Sequence, residues 1–201
     1  VKPGAGILAG GRSLRMGQDK AFLDVGGRPL IDRLIERLGA LTDCIVIASR
    51  DPARYARHGA RSVADELAVP SPLAGVHAIL KACGTEWSAA CAVDLPCLNV
   101  DLLRHLLGQA EGFDAVVPES STGPEPLCAV YSAACIGPME RSAERGVLGF
   151  SEALGECRVR RVAIRESEWL VGGLSPFTNL NRPEDYDTFL SRIRNSPGPF
   201  L

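Results

Sequence analysis

The stretch Ala5-Gly6-Ile7-Leu8-Ala9-Gly10-Gly11-Arg12-Ser13-Leu14-Arg15-Met16-Gly17-Gln18-Asp19-Lys20 decides the reading of this chain. Ala5 to Ala9 is small and apolar throughout, so it reads as a first strand buried on both faces. A glycine-rich loop follows, from Gly10 to Gly17. Glycines let backbone N–H groups approach phosphate oxygens with no Cβ in the way. Arg15 and Lys20 place fixed positive charge where a triphosphate would lie, and Arg12 either adds to it or is solvated. The loop is not a Walker A motif, because Gln18 and Asp19 follow Gly17 where Lys and Ser/Thr are needed. Gly4-x-Gly6-x-x-Ala9 formally fits a dinucleotide fingerprint, but it overlaps the strand instead of following it. Composition alone also admits a plain glycine-rich strand–helix turn with surface basic residues.

Outward from this stretch, short apolar runs alternate with amphipathic ones. Pro29 opens a helix in which Leu30, Ile31, Leu34, Ile35 and Leu38 keep a helical period and Gly39 can close it. Strands are expected over 44–48, 61–64, 88–93, 114–118 and 127–131, and an edge strand over 158–164. Helices are expected over 50–57, 73–83, 100–107, 133–142, 148–154 and 184–194. This alternation predicts an α/β fold: a doubly wound, mostly parallel sheet, Rossmann-like, in three α/β/α layers. Residues 1–194 form a single domain in this reading, and 195–201 a flexible tail. The segment Glu119–Pro126 reads as a loop, either an acceptor-side lid or a mobile connection.

Bulk properties narrow the function. A net charge of −2 argues against a general nucleic-acid or membrane-surface binder. No apolar run is long enough to span a bilayer, and Val1-Lys2-Pro3-Gly4 does not read as a secretory leader. The 7 cysteines include no Cys-x-x-Cys pair, so they read as small buried hydrophobes of a reducing cytoplasm rather than a zinc site. His58, His77 and His105 build no ligand motif. A monomer is the default expectation.

In doubly wound sheets, ligands bind beyond the carboxyl ends of the strands. Gly10, Asp65 and Asp94 each follow a predicted strand, so they should share one rim. Asp94, in Val93-Asp94-Leu95-Pro96, suits magnesium, which takes one or two carboxylates plus water and phosphate oxygens. The same residue could equally cap a helix before Pro96. Asp65-Glu66 and the later Pro72-Leu73-Ala74-Gly75 could hold a base and ribose at the same rim.

Taken together, Leu-Ala-Gly-Gly-x-x-x-Arg-Met-Gly-x-Asp-Lys (8–20), Asp65, Pro-Leu-Ala-Gly (72–75), Asp-x-Pro (94–96) and Asn-x-Asn-x-Pro-Glu-Asp (179–185) resemble the molybdenum cofactor guanylyltransferases, the MobA-like proteins. The resemblance runs over about 5–187 and implies a fold of the nucleotide-diphospho-sugar transferase type. It implies GMP transfer from GTP to molybdopterin with magnesium, releasing pyrophosphate. By the same resemblance Leu8, Ala9, Gly10 and Gly11 contact the nucleotide, Lys20 its phosphates and Asp65 the guanosine. Pro72, Leu73, Ala74 and Gly75 complete the nucleotide site, Asp94 binds magnesium, and Asn179 and Asn181 lie on the acceptor side. Arg15, Lys20 and Asp94 are then the catalytic set. Two departures bear on base choice: Ser71 stands where members often have Gly, and Ile47–Ser49 where some carry an Asn. CTP with molybdopterin, or a sugar phosphate acceptor, therefore remains a rival reading, as does a nucleotide-binding module without turnover. A flavin or NAD oxidoreductase is disfavoured by the misplaced fingerprint.

Overall fold

The computed structural model describes residues 2–10, 19–67, 69–147 and 149–195, with Asn195 described by its backbone alone. Arg15, Gly11 and most of the glycine-rich loop lie outside the described residues.

The chain runs β1 (Gly4–Leu8), β2 (Asp24–Val25), β3 (Arg28–Pro29), α1 (Leu30–Gly39), β4 (Ile45–Ala48), β5 (Arg61–Val63), α2 (Pro72–Cys83) and β6 (Trp87–Ala92). It continues through α3 (Val100–Leu107), β7 (Ala115–Ser120), β8 (Gly123–Pro124), β9 (Cys128–Ser132), α4 (Ile136–Glu144), α5 (Phe150–Ala153), β10 (Val159–Ala163) and α6 (Pro183–Asn195). The main sheet has the order β10-β7-β9-β6-β1-β4-β5, with β8 paired to β7. β1 pairs in parallel with both β4 and β6, and β4 with β5. β9 is antiparallel to β6 and β7, while β10 is parallel to β7. Among the described strands of this sheet, only β8 and β9 oppose the common direction.

Strand side chains alternate between two cores, one on each face. Ile47, Cys91, Val116 and Val130 join the core with α1, α3 and α6. Ala48, Ala90, Val117 and Ala129 join the core with α2, α4 and α5. This gives three layers. Close approach of α2 to β1 requires glycine: a Cβ on Gly6 would overlap the Ile79 side chain, and one on Gly75 would sit 2.9 Å from Leu8 Cδ2. The glycines of the Gly4-x-Gly6 run thus serve helix–strand packing. α2 ends at Gly84, whose φ of 60° is the left-handed cap glycine allows.

Several local expectations are corrected. Pro29 caps α1 instead of opening it, because it pairs in the β2–β3 hairpin. Ser71 caps α2, its hydroxyl accepting from Leu73 N, so Pro72 becomes the first helical residue. Segment 50–57 makes only a 3-10 turn, Pro52–Tyr55. Segment 119–126 is no open loop: β7 extends to Ser120 and pairs with β8, and Ser120 Oγ donates to Glu125 Oε1. α5 is shorter than expected. α6 includes Asn195, assigned above to the tail. β10 does lie at a sheet edge.

Candidate active site

β1, β4 and β6 stop side by side, and their outgoing chains are tied together. Ala9 N donates to Ala48 O at 2.8 Å, and Val93 N to Leu8 O at 3.0 Å. Beyond these ends opens a cavity of about 560 Å³. Leu8, Ala9, Gly10, Lys20, Asp65, Pro72, Gly75 and Asp94 line it. So do Ser71, singled out above for base choice, and Asp19, Arg50 and Leu127, which the sequence reading did not assign to the site.

Lys20 enters from the far side of the glycine-rich segment, on a 3-10 turn over Lys20–Phe22 capped by Asp19. Its ammonium lies 2.8 Å from Asp94 Oδ2 and donates to Asn181 Oδ1 at 2.7 Å. The Lys20 and Asp94 side chains are only 15% and 19% exposed, so their charges are weakly screened. Asp94 does not cap a helix, since Asn99 does that for α3, accepting from Asp101 N and Leu102 N. Instead, Asp94 O accepts from Leu180 N at 3.0 Å, which brings the segment before α6 over the site. Asp185 in the first turn of α6 accepts from Asn181 N and Arg182 N, fixing Asn181 where it meets Lys20.

Asp65 sits opposite, beside Gly10 and Gly75: Cβ atoms built on them would lie 3.5 and 3.8 Å from its carboxylate oxygens. Its Oδ1 is buried and has no hydrogen-bond partner among the described residues. Burial pushes its carboxyl above the ordinary range, and Arg50 opposes this with the smaller effect. A buried acceptor without a donor is costly unless a ligand supplies one.

The sign of this shift gives a testable outcome. A carboxyl raised in the folded state contributes stability below its unfolded value, and that contribution is lost as pH rises through the folded value. Ionised Asp65 is therefore a liability near neutrality. Asp65→Asn should raise the melting temperature at pH 7, and the gain should vanish toward about pH 3, where wild-type Asp65 is protonated in both states. Thermal unfolding against pH checks this; a lower melting temperature at pH 7 would contradict it.

Other assigned residues fall elsewhere. The Leu73 and Ala74 side chains are fully buried, Leu73 in the α2-side core, and neither residue lines the cavity. Asn179 turns back locally, its amide donating to Phe177 O. Among the described residues no cluster of three or more His, Cys, Asp or Glu could hold a metal. Asp94, a single half-buried carboxylate at the cavity, nonetheless fits magnesium, whose remaining ligands come from phosphate and water. No helix of the described residues is long and apolar enough to cross a membrane.

Comparison with known proteins identifies the family and the fold. The family described as "MobA-like NTP transferase domain" matches residues 5–158. A molybdenum cofactor guanylyltransferase of Desulfosudis oleivorans is 34% identical over 190 residues, covering 94% of each chain. The crystal structure of molybdopterin-guanine dinucleotide biosynthesis protein A from Archaeoglobus fulgidus superposes with a TM-score of 0.82 at 25% identity, over 95% of this chain and 98% of that one. The fold alone is shared with 2-C-methyl-D-erythritol 4-phosphate cytidylyltransferase from Thermus thermophilus, at a TM-score of 0.71 and 18% identity over 96% and 100% of the two chains. The family match over most of the chain, the 34% identical relative over nearly all of it and the shared fold together show that this chain belongs to the MobA-like family of nucleotidyltransferases.

Proposed function

We propose that this enzyme transfers GMP from GTP to molybdopterin, giving the guanine dinucleotide form and pyrophosphate. The observation that carries this reading is the Lys20–Asp94–Asn181 cluster at the strand ends, facing Asp65 across one cavity. Asp65 accepts donors of the nucleoside. Guanine offers adjacent N1–H and N2–H2 donors, which two carboxylate oxygens can accept together. The triphosphate runs along Ala9, Gly10 and the glycine-rich segment toward Lys20. Pro72 and Gly75 form part of the nucleoside wall.

The acceptor's terminal phosphate oxygen attacks the α-phosphorus of GTP in line. The bond to the bridging oxygen breaks, and pyrophosphate carries the electron pair away. No general base is needed, because a phosphate monoester is already ionised near neutral pH. Two anions must meet, so charge neutralisation dominates the barrier. Lys20 stabilises the charge growing on pyrophosphate, and Arg15, outside the described residues, is assigned a like role. Asp94 would hold magnesium, which supplies Lewis-acid neutralisation of phosphate oxygens. In this structure Lys20 and Asp94 neutralise each other. Substrate phosphates would compete for the ammonium and leave the carboxylate to the cation. Asn181, and with it Asn179, belongs to the acceptor side. The enzyme works in the cytoplasm, as a monomer.

Pyrophosphate release with molybdopterin, magnesium and each of GTP, CTP, ATP and UTP tests the assignment. Release with GTP alone supports it. Release with CTP, or only with a sugar phosphate acceptor, would replace the donor or acceptor named here.

A further inference from the structure

Beside the cavity, segment 51–58 makes contacts that the chemistry above does not use. Tyr55 is buried, yet its hydroxyl reaches both ends of the glycine-rich segment. It lies 3.2 Å from Ala9 O, where the segment begins, and 3.3 Å from Asp19 Oδ2, where it ends. One hydroxyl proton is thus shared between two acceptors. Asp19 is held again by Arg54, at 3.0 Å, and its other oxygen accepts from Ala21 N at 3.1 Å, capping the turn that presents Lys20. The rings continue the link. Phe22, in that same turn, stacks on Tyr55 with centroids 5.6 Å apart and planes 18° apart. Arg54 lies over the Phe22 ring, 5.4 Å from its centroid.

We propose that Tyr55 is a positioning residue: its hydroxyl, bridging Ala9 O and Asp19, clasps the two ends of the phosphate-side segment and thereby sets Lys20. Arg54 and Phe22 brace the clasp. Tyr55 touches no substrate in this arrangement. Its role is to hold Asp19 against Ala9 and so pre-organise the capped turn that carries Lys20. Burial, with Asp19's charge as the second cause, pushes the Tyr55 hydroxyl up to about 12, so it stays a donor throughout the working range. The proposal rests on the reading of residues 8–20 as the phosphate side of the site.

Tyr55→Phe keeps the ring stack and removes only the bridge. Two measurements on the full chain test it. The first is amide hydrogen exchange at Ala21 and Phe22, whose N–H groups bond to Asp19. Exchange there should quicken in the variant while the amides of β1 and β4 stay as in wild type. Unchanged exchange at Ala21 and Phe22 would overturn the clasp, whatever the enzyme's substrate. The second is affinity for magnesium–GTP, by calorimetry well below the melting temperature. Kd and KM for nucleotide should rise about tenfold, the scale of one lost hydrogen bond, with the acceptor KM unmoved. Asp19→Asn should behave likewise, and the double variant should be no worse than the poorer single one. Faster exchange with unchanged nucleotide Kd would overturn the positioning role, because a merely structural contact lowers the melting temperature without altering affinity of the folded enzyme. If wild type binds no GTP at all, the proposed function fails, and the exchange result still decides the clasp.

Discussion

Asp94→Asn should cut kcat by about a thousandfold or more, the several kcal/mol expected when a phosphoryl-transfer site loses its magnesium carboxylate. The substitution keeps the side chain's shape and its oxygen for Lys20, so fold and cavity should survive. Asp94 is tied into the structure through its backbone carbonyl, which accepts from Leu180 N and is unaffected by the change. GTP binding should weaken less than turnover, since Lys20 and Asp65 still face the cavity. The dependence on magnesium should shift to higher concentration. Steady-state kinetics over a magnesium titration reads both effects. Wild-type kcat at ordinary magnesium would remove Asp94 from the metal role.

Lys20→Ala should lower kcat/KM by about a hundredfold or more, near the ~3 kcal/mol measured elsewhere for loss of one preorganised donor to a developing oxyanion. Two physical effects add. The pyrophosphate loses its ammonium partner, and Asp94 keeps a half-buried charge whose counterion has gone. The second effect makes the variant less stable, and Asp94 should hold its cation more readily. A Lys20→Ala/Asp94→Asn double variant should therefore recover stability relative to Lys20→Ala without recovering rate. Thermal unfolding and kcat/KM on the same preparations separate the two. An unchanged kcat/KM in Lys20→Ala would show that the ammonium serves the ion pair and Asn181 alone.

Much of this site was legible because sheet geometry converts sequence position into space. Asp65 follows the parallel edge strand β5 and Asp94 the buried parallel strand β6, so the strand ends deliver them to one rim. The Pro72–Gly75 motif is contiguous in sequence, yet only part of it lines the cavity. On a helix successive residues point about 100° apart, so Pro72 and Gly75, one turn apart, line the cavity while the Leu73 and Ala74 side chains between them are buried. The reversal of β9 was illegible for a different reason. All its residues are buried, and a uniformly buried strand carries no sign of direction. The hairpin at 119–124 hid behind Ser, Thr, Gly and Pro, residues common to loops and tight turns alike. Tyr55 was missed because its partners, Ala9 and Asp19, are distant in sequence and its segment forms only a 3-10 turn with no apolar period.

The central claim is that the nucleotide's α-phosphorus moves to a phosphorylated pterin while pyrophosphate leaves. GTP labelled separately at the α- and γ-phosphorus, incubated with magnesium and molybdopterin, tests it directly. The account predicts the α-label in a pterin product carrying GMP and the γ-label wholly in pyrophosphate. Transfer of the γ-label to the pterin, or its release as orthophosphate, would contradict the account.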